Sequence, residues 1–230
     1  MNTSFLWGFK KSLPIAAGVL PFGIVMGTAA ASGGISLFDL IGMSFSIFAG
    51  ASQLAALELM ISDASILVVI LSGIMINLRF VLYSIYFSKH FRPHSTPAKL
   101  ALSHFVIDQT YAVSQLHYEQ KNLSPADRVY FFIGSAVTMF TVWQSSVLGS
   151  FIFSAYVLGA QDLDFMVPLC FIGLIGPNLT NKQFAMVTIA SVIVSSVLVN
   201  LPHNLNLIVT AFACLGLGSI LGTKETENEF

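Results

Sequence analysis

Arg79 is an isolated charge in Ile76-Asn77-Leu78-Arg79-Phe80-Val81-Leu82-Tyr83-Ser84. At the centre of a membrane helix a guanidinium costs about 2.5–3.5 kcal/mol or more unless it is paired or can snorkel to water. The next basic residue, Lys89, is about 15 Å further along a helix, too far for easy snorkelling. A carboxylate partner is therefore expected, with Asp108 and Glu58 as the candidates. Two roles fit the pair: a structural clamp, or a planar fork for a substrate carboxylate.

Asp108 follows Leu102-Ser103-His104-Phe105-Val106-Ile107, and apolar positions 102, 105, 106, 112 and 113 suggest an amphipathic helix with the acid near its edge. Such an acid is either a solvated loop charge or one facing a polar cavity, where it binds an ammonium group or moves a proton. The third element is Phe48-Ala49-Gly50-Ala51-Ser52-Gln53, a small-residue stretch in the middle of an apolar run. Small residues allow close helix packing. They also allow the backbone to break, which at membrane depth is tolerated only where protein or a cavity covers it. A break there turns freed N–H groups toward a substrate carboxylate, with Ser52 and Gln53 adding hydrogen bonds.

Other chemistries find no residues. His90 and His94 have metal-ligand spacing, but Pro93 lies between them and argues against a helix. Cys170 and Cys214 sit in apolar runs as buried thiols. A Gly-x-x-x-x-Gly-Lys phosphate loop, a Gly-x-Ser-x-Gly elbow and a His-Glu-x-x-His helix are all missing from the sequence. No metal, cofactor or catalytic set is expected. A net charge of −1 gives no basis for nucleic-acid binding.

The elements that must position these residues are membrane helices. Of 230 residues 55% are hydrophobic and 9% charged, and mean hydropathy is +0.81. Soluble domains carry about 25% charged residues, so lipid must be the solvent for most of this chain. Apolar spans are predicted over about 12–32, 37–58, 64–88, 129–157, 165–181, 183–201 and 205–222. The expected fold is an all-α integral membrane protein of about six to eight transmembrane helices. The first span resembles a secretory signal ending at Ala29-Ala30-Ala31-Ser32, but Pro14 and Pro21 interrupt it and it is read as a retained helix.

Residues 89–128 hold Lys89, Arg92, Lys99, Lys121 and Arg128, half of the basic residues, which makes this segment cytoplasmic together with Lys10 and Lys11. Two cytoplasmic flanks need an even number of crossings between them, and three spans are predicted. Either 37–58 is broken and returns, or 100–118 also crosses. At an offset of 123 residues, Phe48, Gly50, Asn77 and Leu78 match Phe171, Gly173, Asn200 and Leu201, and Asp39 matches Asp162. Chance matches between abundant residues are one reading. The other is one membrane domain, 1–230, with repeat halves 10–88 and 129–222 joined by 89–128, as in many transporters.

Taken in order, these segments resemble the AzlC-type branched-chain amino acid permeases. The resemblance rests on Pro14-Ile15-Ala16-Ala17-Gly18-Val19-Leu20-Pro21-Phe22-Gly23, on Met43-Ser44 through Phe48-Ala49-Gly50-Ala51-Ser52-Gln53, on Asn77-Leu78-Arg79-Phe80 before Leu82-Tyr83-Ser84, and on Asp108. Two positions depart from it: Phe80 stands where members often have His, and Asp108-Gln109 where many have Asp-Glu. The resemblance implies a multi-pass permease of the bacterial inner membrane exporting leucine, isoleucine, valine or methionine. It also implies coupling to the proton motive force and a small hydrophobic AzlD-type partner subunit. The substrate-binding residues it points to are Gly50, Ser52, Gln53, Asn77, Arg79 and Asp108. Gly18, Gly23, Gly27 and Gly73 offer faces for a partner helix. A membrane-embedded enzyme, or a structural subunit without transport, is the competing class.

Overall fold

A computed structural model of the chain describes residues 3–120, 123–154, 179–201 and 205–228. These residues form ten helices: α1 Thr3–Ser32, α2 Leu37–Ile47, α3 Gly50–Ile61, α4 Ile66–Asn77, α5 Arg79–Phe91, α6 Thr96–Ser103, α7 Asp108–Gln120, α8 Pro125–Ile152, α9 Lys182–Val197 and α10 Leu205–Asn228. The chain is an all-α integral membrane protein. The span expected over 165–181, Cys170, and the repeat positions Asp162, Phe171 and Gly173 lie wholly or mostly outside the described residues.

Among the described residues two helices, α1 and α8, are long and apolar enough to cross a bilayer, and α4 with α5 makes a third span bent by 46° at Leu78. At 1.5 Å per residue α1 and α8 are about 45 and 42 Å long, more than the roughly 30 Å hydrocarbon layer. They pack along their whole length, and the register is constant. Ser4 Oγ donates to Asp127 at 2.7 Å and Ser12 Oγ to Ser135 Oγ at 2.8 Å, each pair 123 residues apart. A Cβ on Gly8, Gly23 or Gly27 would collide with Phe131, Ser146 or Ser150, again at that separation. A constant separation means the two helices run parallel, with small residues letting their backbones touch. Gly23 and Gly27 therefore face α8 within this chain and are not open to a partner helix; Gly18 and Gly73 have nothing within 4 Å.

Parallel α1 and α8 start at the same face, so the chain crosses back an odd number of times between them. The α4–α5 pair does this: Phe87 and Phe91 pack edge-on against Phe132 near the start of α8. The remaining segments dip and return. The region read as one span over 37–58 is two helices of 11 and 12 residues, each about 17 Å, half the membrane depth. Its tip, Phe48, packs on Phe140 halfway along α8, and Ile61 at its far end comes back beside Gly33 at the end of α1. Ser36 caps the descent, accepting from the Asp39 N–H at 3.1 Å.

A second hairpin enters from the opposite, basic face. The amphipathic helix expected through Asp108 is instead divided at residues 104–107 into α6 and α7, and Asp108 opens α7. Thr110 Oγ1 pins this tip, accepting from the Ile107 N–H at 3.0 Å and donating to the Phe105 carbonyl at 2.7 Å. Phe105 meets Phe140 and Phe48 at mid-depth, while His117 at the other end stacks on Phe131. The two hairpins thus touch tip to tip through Phe48, His104 and Phe105. Helices α9 and α10 pack on each other, and α10 also on α4. The apolar exterior includes Ile66, Leu67, Ile70, Ile74, Leu82 and Ile85, all exposed as lipid contact requires.

Candidate functional site

Three of the interruptions in these helices converge on one place. Hairpin α2–α3 turns at Phe48-Ala49, the α4–α5 span bends at Leu78, and hairpin α6–α7 turns just before Asp108. Pro14 and Pro21 bracket the matching part of α1; each removes one helical N–H donor, leaving a carbonyl four residues earlier without its usual bond. Between these points lies a cavity of about 380 Å3, in the range of small-molecule sites. Ile15, Gly18, Val19 and Phe22 of α1, Met139 and Trp143 of α8, and Phe48, Phe80 and Ile107 supply its apolar wall. Its polar part is Arg79, Asp108 and Gln109 with the backbone at Ala49, Gly50 and Ala51.

The charged pair is built from two helix starts. Arg79 Nη2 donates to Asp108 Oδ2 at 2.9 Å, and both side chains are about one-third exposed, at 32% and 34%. Of the two acids considered for Arg79, the structure selects Asp108. Tyr83, one turn along α5, donates its hydroxyl to the other oxygen, Asp108 Oδ1, at 2.7 Å, and its ring stacks on Tyr111 at 4.5 Å. Both carboxylate oxygens are therefore engaged, and the acid sits at the positive end of α7, where a negative charge is favoured. The guanidinium lies 5.5 Å from the Phe80 ring centre, a cation–π distance. Its buried Nε has no hydrogen-bond partner among the described residues.

Opposite this pair, α3 begins without a side-chain cap at Ala49. The N–H groups of Gly50, Ala51 and Ser52 precede the first intrahelical bond, which Gln53 N makes to the Ala49 carbonyl at 2.8 Å. Such first-turn donors favour an anion. A guanidinium, open helix-start donors, a carboxylate and an apolar wall together can hold a small zwitterion with a hydrophobic side chain.

Of the residues singled out in the sequence, Gly50, Arg79 and Asp108 line the cavity. Ser52, Gln53 and Asn77 are not in its lining. Ser52 Oγ is turned back to the Ala49 carbonyl at 3.1 Å. Gln53 is fully buried, and its Oε1 accepts from Trp143 Nε1 at 3.3 Å. Asn77 ends α4, with its buried Oδ1 lacking a partner among the described residues. Behind the cavity a polar network ties hairpin to span: Trp143 Nε1 also donates to Ser44 Oγ at 3.1 Å, Ser44 Oγ to Gln144 Oε1 at 2.8 Å, and Gln144 Nε2 to the Ser44 carbonyl at 3.0 Å. Trp143 and Tyr83 were missed from sequence. The available signal was a tryptophan followed by glutamine in an otherwise apolar run, and a tyrosine one turn after Arg79.

The chain is 27% identical to an uncharacterized membrane protein of Helicobacter pylori over 97% of its own length and 98% of that protein. It is 26% identical to inner membrane protein YgaZ of Escherichia coli, covering 83% of this chain and 80% of the relative. A third relative, the branched-chain amino acid transport protein AzlC of Bacillus subtilis, is 26% identical over 74% of this chain and 65% of its own length. No solved structure matches the chain. The family model described as AzlC protein matches residues 14–157, which hold every residue that lines the cavity, and the chain belongs to the AzlC family.

Proposed function

We propose that the chain is a permease that exports branched-chain amino acids, leucine, isoleucine and valine, with methionine as a further substrate. The single observation that carries this is the mid-depth cavity, where the Arg79–Asp108 pair faces an apolar wall. The zwitterion's two charges are those of the pair. Its carboxylate replaces Asp108 on the Arg79 fork and is met by the first-turn N–H groups of α3, while its ammonium replaces Arg79 on Asp108. The pair is thus the internal stand-in for the substrate, and exchanging one for the other leaves no charge unpaired. Ile15, Val19, Phe22 and Met139 take the aliphatic side chain. Transport of branched-chain amino acids by a relative, stated in its name, supports the same substrate class.

Export runs from the cytoplasm, the side of the basic segment 89–128 and of Lys10 and Lys11. The bacterial inner membrane supplies the proton motive force, and Asp108 is the group placed to couple to it. A small AzlD-type hydrophobic subunit completes the transporter. The domain is read as two parallel repeats, 10–88 and 129–222, since α1 and α8 meet at the offset that relates them in sequence. An enzyme would need a convergent acid–base or metal cluster, whereas Arg79, Asp108 and Tyr83 make a binding constellation. The test is efflux from cells loaded with leucine-containing dipeptides, with and without this chain and an AzlD-type subunit. Faster leucine efflux only when both are expressed supports the reading; identical efflux with and without the chain overturns it.

A further inference from the structure

Trp143 is the bulkiest side chain in the cavity wall. Its ring is buried, with 4% exposure, and lines the cavity beside Met139 on the same helix. The indole N–H is satisfied from behind, by Ser44 Oγ of α2 at 3.1 Å and Gln53 Oε1 of α3 at 3.3 Å. With its only polar atom already bonded, the ring offers a purely apolar surface to whatever fills the cavity. Gly50 closes the other side, since a Cβ there would lie 3.3 and 3.4 Å from Cη2 and Cζ3 of the indole. Helices α2 and α3 therefore both hold the ring, and rotating it away would break two hydrogen bonds in a buried setting.

We infer that Trp143 fixes the size of side chain the cavity accepts, with Gln53 as the positioning residue that holds the indole in place. This rests on reading the cavity as a hydrophobic amino acid site. A rigid indole leaves room for a branched aliphatic chain and excludes an aromatic ring. A smaller residue at 143 opens the wall to aromatic side chains. Gln53→Leu keeps the indole but loosens it, so size selection weakens while the wall remains. The role of Gln53 is thus indirect, consistent with its burial and with its absence from the cavity lining.

The test uses the purified full chain with its small partner subunit in lipid nanodiscs. The sequence has two tryptophans, so Trp7→Phe leaves Trp143 as the sole tryptophan of this chain, and the partner subunit's emission is subtracted with the Trp7→Phe, Trp143→Phe double variant. Leucine is expected to change the emission of the Trp7→Phe protein saturably, over the concentrations that raise its melting temperature. Trp143→Phe, measured by thermal shift, is expected to move the ratio of phenylalanine to valine affinity by roughly tenfold toward phenylalanine, the scale of pocket-size discrimination. Gln53→Leu is expected to move it by less in the same direction. Leucine that stabilises the protein without altering Trp143 emission, or an unchanged affinity ratio in Trp143→Phe, overturns the inference while the amino acid reading stands. No stabilisation of any variant by any hydrophobic amino acid overturns both.

Discussion

Asp108 holds Arg79 with one oxygen and Tyr83 with the other, and an asparagine in its place keeps only one acceptor oxygen for the two. Asp108→Asn keeps the shape but removes the counter-charge, and leucine efflux is expected to fall by roughly 10- to 100-fold, the loss from one charge-assisted hydrogen bond of about 1.5–3 kcal/mol. Normal efflux at equal membrane protein level would make the acid a mere clamp partner. Arg79→Lys retains the charge and loses the fork; its efflux is expected to lie between wild type and Arg79→Ala, and equality with wild type would mean that charge alone matters. The Arg79 pairing was legible because a lone charge among apolar residues demands a partner. Trp143 and Tyr83 were not legible, because an aromatic in an apolar run looks the same whether it packs on lipid, core or cavity. Ser52 and Gln53 stand outside the lining for a related reason: polar groups near a helix break also serve to bond the helix to itself and to its neighbour.

At the scale of elements, the break in the second apolar run could be read from its small residues, yet it falls at Phe48-Ala49, just before Gly50. Phe48 takes a left-handed backbone, φ 37°, unusual for a bulky residue; its packing on Phe140, Phe105 and His104 holds it there. The bend at Leu78 has no proline or glycine to announce it, and neither does the division at 104–107, which Thr110 stabilises through hydrogen bonds invisible in a hydrophobicity pattern. The breaks at 48–49 and 104–107 make hairpins rather than crossings, which gives a topological prediction. Single cysteines at Ser36 and Ser62, in a background lacking Cys170 and Cys214, are expected to react with a membrane-impermeant thiol reagent from one side. Cysteines at Ser95 and Ser124 should react only from the other. Labelling of Ser36 and Ser62 from opposite sides would mean that 37–61 crosses fully.

For the whole molecule, the parallel α1–α8 pair is the frame on which three interrupted elements converge. Gly23→Leu should separate that pair, because any Cβ there meets Ser146; overpacking of this kind costs about 1–3 kcal/mol, read as a lower melting temperature and less protein in the membrane. Gly73→Leu, where space is open, should change neither. The class of molecule was legible from composition alone, since so few charges cannot clothe a soluble protein. The convergence was not, because depth is set by contacts between helices far apart in sequence. The central claim is that the convergence point holds the amino acid. Gly18 lines the cavity with nothing within 4 Å of where a side chain would begin, so Gly18→Met fills the site without displacing its walls. Calorimetric titration of leucine into the purified transporter is the direct measurement. Saturable binding by the wild type, and affinity at least roughly tenfold weaker in Gly18→Met at an unchanged melting temperature, is the predicted result; equal affinity in the two proteins would contradict it.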